Sequence, residues 1–305
     1  MSNSRKDLTR IQKAQYFTSN LILRGTIKLL GLFPYALRLR LMGGLVRRLS
    51  GVLGIRKRIR RNLSYVLPDL PEPEAQRICH EVADNAGRTV AEFYAGQPFW
   101  ERARAAKIGG PGLAALEQAK ADGRPVIFVT AHFGNYDAAR VKLMSLGFPM
   151  GALYRRMANP YFNEHYVKAM HDTGKPMFEQ GKRGMVEMVR FLKQGGNLAI
   201  VTDLHAIGGS PIDFFGKPAL TSLVTAELAL KFKAVMIPVY AVRQENGLDF
   251  EIIMKEPIEH TDALRMTTEV TQDLEKVVQD HMGQWFWIHR RWKPYAQSSP
   301  TAVSD

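Results

Sequence analysis

From residue 74 onward, short apolar runs alternate with amphipathic stretches. The runs 124–131, 150–154, 197–202, 234–242 and 250–254 have strand length and are rich in Val, Ile, Leu and aromatic residues. Between them, 136–146, 160–172, 182–194 and 221–232 space their apolar residues as helices do. A further helix is predicted over 74–95, with Ile78, Val82, Ala86 and Val90 on one face. Strands alternating with helices predict an α/β fold with a mostly parallel central sheet flanked by helices. Residues 16–49 follow another pattern. They are rich in Leu and Ile, but Arg24, Lys28, Arg38 and Arg40 interrupt them. No window offers the roughly 18–20 apolar residues of a spanning helix, and no short apolar core with a cleavage site marks a signal peptide. Leu37, Leu41, Leu45 and Leu49 recur every four residues among arginines. That pattern predicts an N-terminal helical membrane-associating section whose leucines enter the acyl boundary while arginine stems snorkel. A helix packed on the body with solvated arginines is the alternative.

The distribution of charge sharpens this division. Residues 1–61 hold 15 Lys and Arg against the single acid Asp7, a local charge of +14. The whole chain carries +13, so the remainder sums to −1. A near-neutral body with a cationic front end points to an anionic surface as partner. The aliphatic content of the same stretch favours lipid over nucleic acid, and no nucleic-acid partner is expected. The organisation predicted is a basic amphipathic membrane-associating section over 1–61, an α/β domain over 62–293 and a flexible polar tail over 294–305. One cysteine, Cys79, leaves no intrachain disulfide.

Candidate chemistry is concentrated where the first long apolar run ends. In "VIFVTAHFGNYDAAR" (126–140) the predicted strand delivers His132 to its C-terminal end, where open α/β sheets place their ligands. Gly134 permits a tight turn, Asn135 suits an N-cap, and Asp137 then falls in the first helical turn. A carboxylate on one ring nitrogen fixes the tautomer and frees the other to take a proton, so His132 and Asp137 are candidate base and partner. A buried structural pair is the competing reading. With 8 His and 29 acids in 305 residues, about one such spacing arises by chance, so placement and not spacing carries the argument. No G-x-S-x-G elbow, P-loop or G-x-G-x-x-G fingerprint competes, and Asp203 with His205 makes too few ligands for a metal. A histidine base without a protein nucleophile activates a substrate hydroxyl directly.

Several further blocks complete a resemblance. "HFGNYD" (132–137), "YRRMANPYF" (154–162), "GKRG" (181–184), "TDLHAIGGSPIDFFGKPALT" (202–221) and "WFWIHRRWK" (285–293) occur in the order found in the late acyltransferases of lipid A biosynthesis. "RRNL" (60–63) and "NAGRTVAEF" (85–93) match weaker features of the same family. The chain resembles that lauroyl/myristoyl acyltransferase family from about Tyr16 to Lys293, with two departures. Leu204 follows Asp203 where the family usually has Gln, and Asp137 stands where many relatives carry Glu. Both leave the acceptor open, a lysophospholipid or aminolipid being the alternative to a lipid A precursor, and a non-catalytic membrane scaffold the remaining one.

The resemblance implies acyl transfer from an acyl-carrier-protein or acyl-CoA thioester to a hydroxyl of an anionic lipid, at the cytoplasmic face of the inner membrane and with no cofactor. It makes His132 the base and Asp137 its partner. It places Asn135, Arg155, Arg156, Arg183 and Asp203 at the substrate, the arginines on acceptor phosphate. Phe214 and Phe215 line an acyl tunnel or pack a turn, with packing favoured. Trp285, Trp287 and Trp292, beside Arg290 and Arg291, sit at a membrane–water boundary or close the core.

Overall fold

Residues 8–293 are described by a computed structural model. The leading helices are α1 (Arg10–Leu30), α2 (Tyr35–Leu49), α3 (Ile55–Val66), α4 (Glu72–Phe93) and α5 (Gln97–Ala105). Strand β1 (Lys107–Gly109), α6 (Gly112–Ala121), β2 (Val126–Thr130), α7 (Tyr136–Ser145), β3 (Met150–Tyr154), α8 (Pro160–Thr173), β4 (Met177–Glu179), α9 (Lys182–Lys193) and β5 (Asn197–Val201) follow. A hairpin of β6 (Ser210–Phe214) and β7 (Lys217–Thr221) precedes α10 (Val224–Phe232), β8 (Val235–Arg243), β9 (Phe250–Met254) and α11 (Ala263–Asp280). The five strands expected from apolar runs are β2, β3, β5, β8 and β9. The three-residue strands and the β6–β7 hairpin lack a long apolar run and were not expected.

The main sheet has the order β1-β9-β8-β2-β5-β3-β4. Strands β8, β2, β5, β3 and β4 are parallel to one another, and β9 turns back antiparallel to β8. Every residue of β2 is buried, as a central strand covered on both faces requires. The register pairs Thr130 of β2 with Val201 of β5. The residues two positions beyond that pair are His132 and Asp203. Parallel pairing thus sets them side by side at the C-terminal edge of the sheet, 71 residues apart in sequence.

The N-terminal helices divide between exposure and packing. Helix α3 runs through position 61 and buries Ile59, Leu63 and Val66 in the main core, so the basic section and the α/β body share it. Helix α2 rests on α4 at a crossing of two glycines. A β-carbon on Gly87 would lie 2.5 Å from the Met42 carbonyl oxygen, and one on Gly43 would meet the Asp84 carboxylate at the same distance. The leucine stripe of α2 lies away from this contact, and Leu37, Leu41, Leu45 and Leu49 each remain at least 40% exposed. The expected buried face of α4 holds at Ile78 and Val82 but then drifts, because four-residue spacing outruns the 3.6-residue turn. Val90 is exposed, and the buried line continues through Ala83 and Gly87. The segment expected as a flexible tail, 294–305, lies outside the described residues.

The glycine crossing gives a direct test. Gly87→Ala is expected to destabilise the protein by about 1–3 kcal/mol, because overpacked backbone has nowhere to move. Gly44→Ala meets nothing nearer than the Arg48 guanidinium at 4.0 Å and is expected to be neutral or stabilising. Urea unfolding midpoints of the two variants check the difference.

Candidate active site

After β2 the chain turns sharply. Gly134 takes φ +52°, and a β-carbon there would fall 1.9 Å from the Ala241 carbonyl oxygen, so the turn demands glycine. Asn135 then caps α7, its side-chain oxygen accepting from the Asp137 N–H at 3.1 Å. The C-terminal segment clamps this turn by backbone alone. Gly134 N–H donates to the Gln284 carbonyl and Phe286 N–H to the His132 carbonyl, each at 2.9 Å.

The hydrogen-bond partner of the His132 ring is Asp203. Its Oδ1 lies 2.9 Å from Nδ1, while Oδ2 accepts the His132 backbone N–H at 3.0 Å and the Trp285 indole N–H at 2.9 Å. The Asp203 side chain is 1% exposed, whereas that of His132 retains 27%. Burial opposes the Asp203 charge, but the imidazole, by charge and hydrogen bond, and the indole outweigh it and hold its pKa below the usual carboxylate value. An ionised carboxylate only accepts, so Nδ1 carries the proton and Nε2 is the basic nitrogen of the neutral ring. Among the described residues no protein group bonds Nε2. Burial also opposes an imidazolium at His132, yet Asp203, with Asp137 behind it, raises the pKa above the ordinary value. The rings of Tyr136 and Phe286 flank the imidazole, with centroids at 5.5 and 5.8 Å.

Asp137, expected to orient the ring, makes no hydrogen bond to it. In the first turn of α7 it faces Arg140 on the same helix and acts on His132 through charge. Burial raises its pKa, and Arg140 and then His132 oppose the rise. Asp203, expected at the substrate, supplies the orienting bond instead. Asn135 is likewise spent inside the fold, since its amide donates to Glu92 at 2.8 Å while its oxygen caps α7. Local spacing pointed to Asp137; the strand order that makes β5 the neighbour of β2 is not written in any local pattern.

A buried ionic network supports the turn from below. Glu92 is fully buried and receives a bidentate grip from Arg243, with Nη1 on Oε1 and Nη2 on Oε2. Arg243 Nε also donates to Asn85 at 2.8 Å, and Asn85 and Thr89 both donate to the Gly134 carbonyl. Residues 85–93 therefore hold the turn that carries His132. The 85–93 block is visible in the sequence, but no local pattern assigns a role to Glu92 or Arg243. The aromatic block at the C-terminus belongs to the core: Trp285 and Trp287 are at most 1% exposed and pack with Phe214 and Phe215. The Phe215–Gly216 pair forms the tight turn of the β6–β7 hairpin, both residues with positive φ.

The cationic candidates lie on the same edge of the sheet, farther along it. Arg155 and Arg156 follow β3 and are exposed, with no hydrogen bond or ion pair among the described residues. Lys182 and Arg183 follow β4, and Arg183 pairs with Glu187 at 2.8 Å across one helical turn. With β5 between β2 and β3, these groups stand two and three strands from His132. Leu204 and Ile207, in the loop after Asp203, are 39% and 93% exposed. Among the described residues no three His, Cys, Asp or Glu side chains converge as a metal site would need.

Comparison with known proteins shows the family of the chain. A family model described as bacterial lipid A biosynthesis acyltransferase matches residues 5–294. A lipid A biosynthesis acyltransferase of Haemophilus influenzae is 24% identical, covering 81% of this chain and 80% of its own. The lipid A biosynthesis palmitoleoyltransferase of Escherichia coli K12 is 26% identical over 79% of this chain and 80% of its own. The lauroyltransferase of the same organism is 24% identical over 99% of both chains. The family model spans nearly the whole sequence, and the chain belongs to the bacterial lipid A biosynthesis acyltransferase family.

Proposed function

We propose that this acyltransferase moves a fatty acyl chain from an acyl-carrier-protein thioester to a hydroxyl of a lipid A precursor at the cytoplasmic face of the inner membrane. The observation that carries the reading is the His132 ring, with Nδ1 committed to Asp203 and Nε2 free at the open edge of the sheet. Nε2 removes the hydroxyl proton as the oxygen attacks the thioester carbonyl. The tetrahedral intermediate then collapses, the carbon–sulfur bond breaks, and the imidazolium returns the proton to the departing thiolate. Positioned base catalysis of this kind contributes about 10²–10⁴-fold. Asp203 orients the ring, and both Asp203 and Asp137 favour its protonated form. At the start of α7 the Asp137 and Ala138 N–H groups are taken by Asn135, which leaves the Tyr136 N–H as the helix-start donor for the oxyanion. Arg155 and Arg156, exposed on the same edge of the sheet, take acceptor phosphate by their guanidinium forks.

Membrane attachment belongs to α1 and α2. Ile11, Leu21, Ile22, Leu29 and Leu32 add to the α2 leucine stripe as exposed apolar surface, with Arg24, Lys28, Arg40, Arg47 and Arg48 exposed among them. No helix among the described residues is long and apolar enough to cross a membrane. An interfacial mode on anionic lipid fits that composition.

Three outcomes test the reading. Purified protein in detergent, given acyl-carrier-protein thioester and the Kdo-bearing lipid A precursor, is expected to add one acyl chain by mass. His132→Ala should lose about 10²–10⁴-fold of that rate; transfer to a lysophospholipid instead would move the acceptor while keeping the chemistry, and unchanged turnover by His132→Ala would sink the base assignment. The neutral ring is the active form and its pKa is raised, so activity should fall with decreasing pH through a midpoint above about 6.5. Asp203→Asn removes the charge that raises it and should move the midpoint down, with nuclear magnetic resonance titration of the His132 ring as an independent reading. For the membrane, Leu41→Glu with Leu45→Glu should weaken binding to phosphatidylglycerol vesicles at least about tenfold in flotation, since each buried leucine is worth about 1.5–3 kcal/mol. Turnover of a detergent-dispersed acceptor should persist.

A further inference from the structure

Trp285 and Trp287 offer a natural comparison within one cluster. They are buried to the same degree, and their rings meet edge to face at 4.7 Å. Their indole N–H groups go to different places. Trp287 donates to the Met282 carbonyl at 2.8 Å, which closes a local turn. Trp285 donates to Asp203 Oδ2 at 2.9 Å, the same oxygen that accepts the His132 backbone N–H. We infer that Trp285 is a positioning residue for the acyl-transfer reaction, acting through Asp203 to hold the His132 imidazole in line with substrate.

The inference rests on the reading of His132 as the base and extends it to the C-terminal segment. Asp203 uses one oxygen on the ring and the other on two N–H donors that approach from different elements, β2 and the segment after α11. Remove the indole and only the two His132 nitrogens hold the carboxylate, so its rotation about the Cβ–Cγ bond, and the ring with it, is less constrained. Water offers little replacement. The cavity behind Asp203, bounded by Thr202, Phe214, Thr271 and Arg291, is only about 10 Å³, room for at most one water. Arg291 faces Asp203 through charge but spends its Nη atoms on the Leu220 carbonyl and the Thr221 hydroxyl. Asp203 is thus faced by His132, Trp285, Arg291, His289, Tyr240 and Tyr136, and His132 by Asp203, Asp137, Tyr136 and His289. Among the described residues, Trp285 is the one side chain besides the base that donates a hydrogen bond to the carboxylate.

Trp285→Phe and Trp287→Phe remove similar ring volume and one buried N–H bond each, so they separate positioning from packing. Trp285→Phe is expected to lower kcat about 10–100-fold with KM unchanged. Its acid limb should move to higher pH, because a carboxylate relieved of one donor attracts the imidazolium more strongly. Trp287→Phe should leave both kcat and the limb near those of the parent. Equal losses in the two variants, or parental kcat in Trp285→Phe, would overturn the inference. A second reading uses the intact chain and no turnover, and therefore stands apart from the base assignment. With ¹⁵N-tryptophan incorporated, the Trp285 indole resonance should shift with the midpoint of the His132 titration while that of Trp287 stays still. A Trp285 resonance indifferent to that titration contradicts the inference even where Trp285→Phe fails to fold.

Discussion

A single buried carboxylate sets the terms for the rest of the molecule. Asp203 carries its charge where solvent scarcely reaches, and three N–H groups satisfy it. An unpaired buried charge costs several kcal/mol, so those donors are fixed by necessity as much as by function. Two come from His132 and one from Trp285. The strand register, the sharp turn at Gly134 and the C-terminal clamp can all be read as the means of bringing these donors to one place.

The turn itself would be poorly held without a second buried charge pair. Glu92 and Arg243 lie on α4 and β8, on either side of residues 134–135, and their shared network ends on the Gly134 carbonyl and the Asn135 amide. Removing one member of such a pair is far costlier than never having built it. The pair gives the base a rigid floor, while the mouth stays open through Nε2 and the exposed loop after Asp203. Packing also explains why the N-terminal helices can be both part of the body and an apolar surface. The glycine crossing brings α2 hard against α4 on one side and leaves its leucines outward on the other.

Local patterns in the sequence revealed much of this framework. Apolar runs located β2, β3, β5, β8 and β9, and the strand-end position of His132 was readable from "VIFVTAH" because a buried strand must stop where polar chemistry begins. What could not be read was adjacency. Asp137 lies five residues away and Asp203 seventy-one, and nothing in either segment states that β5 pairs with β2 with Thr130 opposite Val201. The same blindness covers Glu92 and Arg243, which look like ordinary surface charges until α4 and β8 enclose them. Asn135 misled in the opposite way: its place beside His132 suggested substrate, but both ends of its amide are spent on the turn. The tryptophans were ambiguous because an aromatic–cationic block suits an interface as well as a core. Burial decides for the core.

The two carboxylates around one imidazole then divide their work by environment. Donors hold Asp203 in its charged form, so it remains an acceptor throughout the proposed reaction. Burial works against the charge of Asp137, and among its opponents is the protonation of His132 itself. The Asp137 anion is therefore favoured most when the ring is cationic, the state the ring takes up in the proposed reaction. Pairs of titratable groups with pKa values pushed in opposite directions mark distinct roles at one site. On that reasoning Asp203 governs where the ring points in the proposed reaction and contributes most to its hold on a proton, and Asp137 adds to that hold through charge alone. The His-x4-Asp spacing is then a spacing for charge, set at the start of a helix, while the aligning hydrogen bond comes from the neighbouring strand.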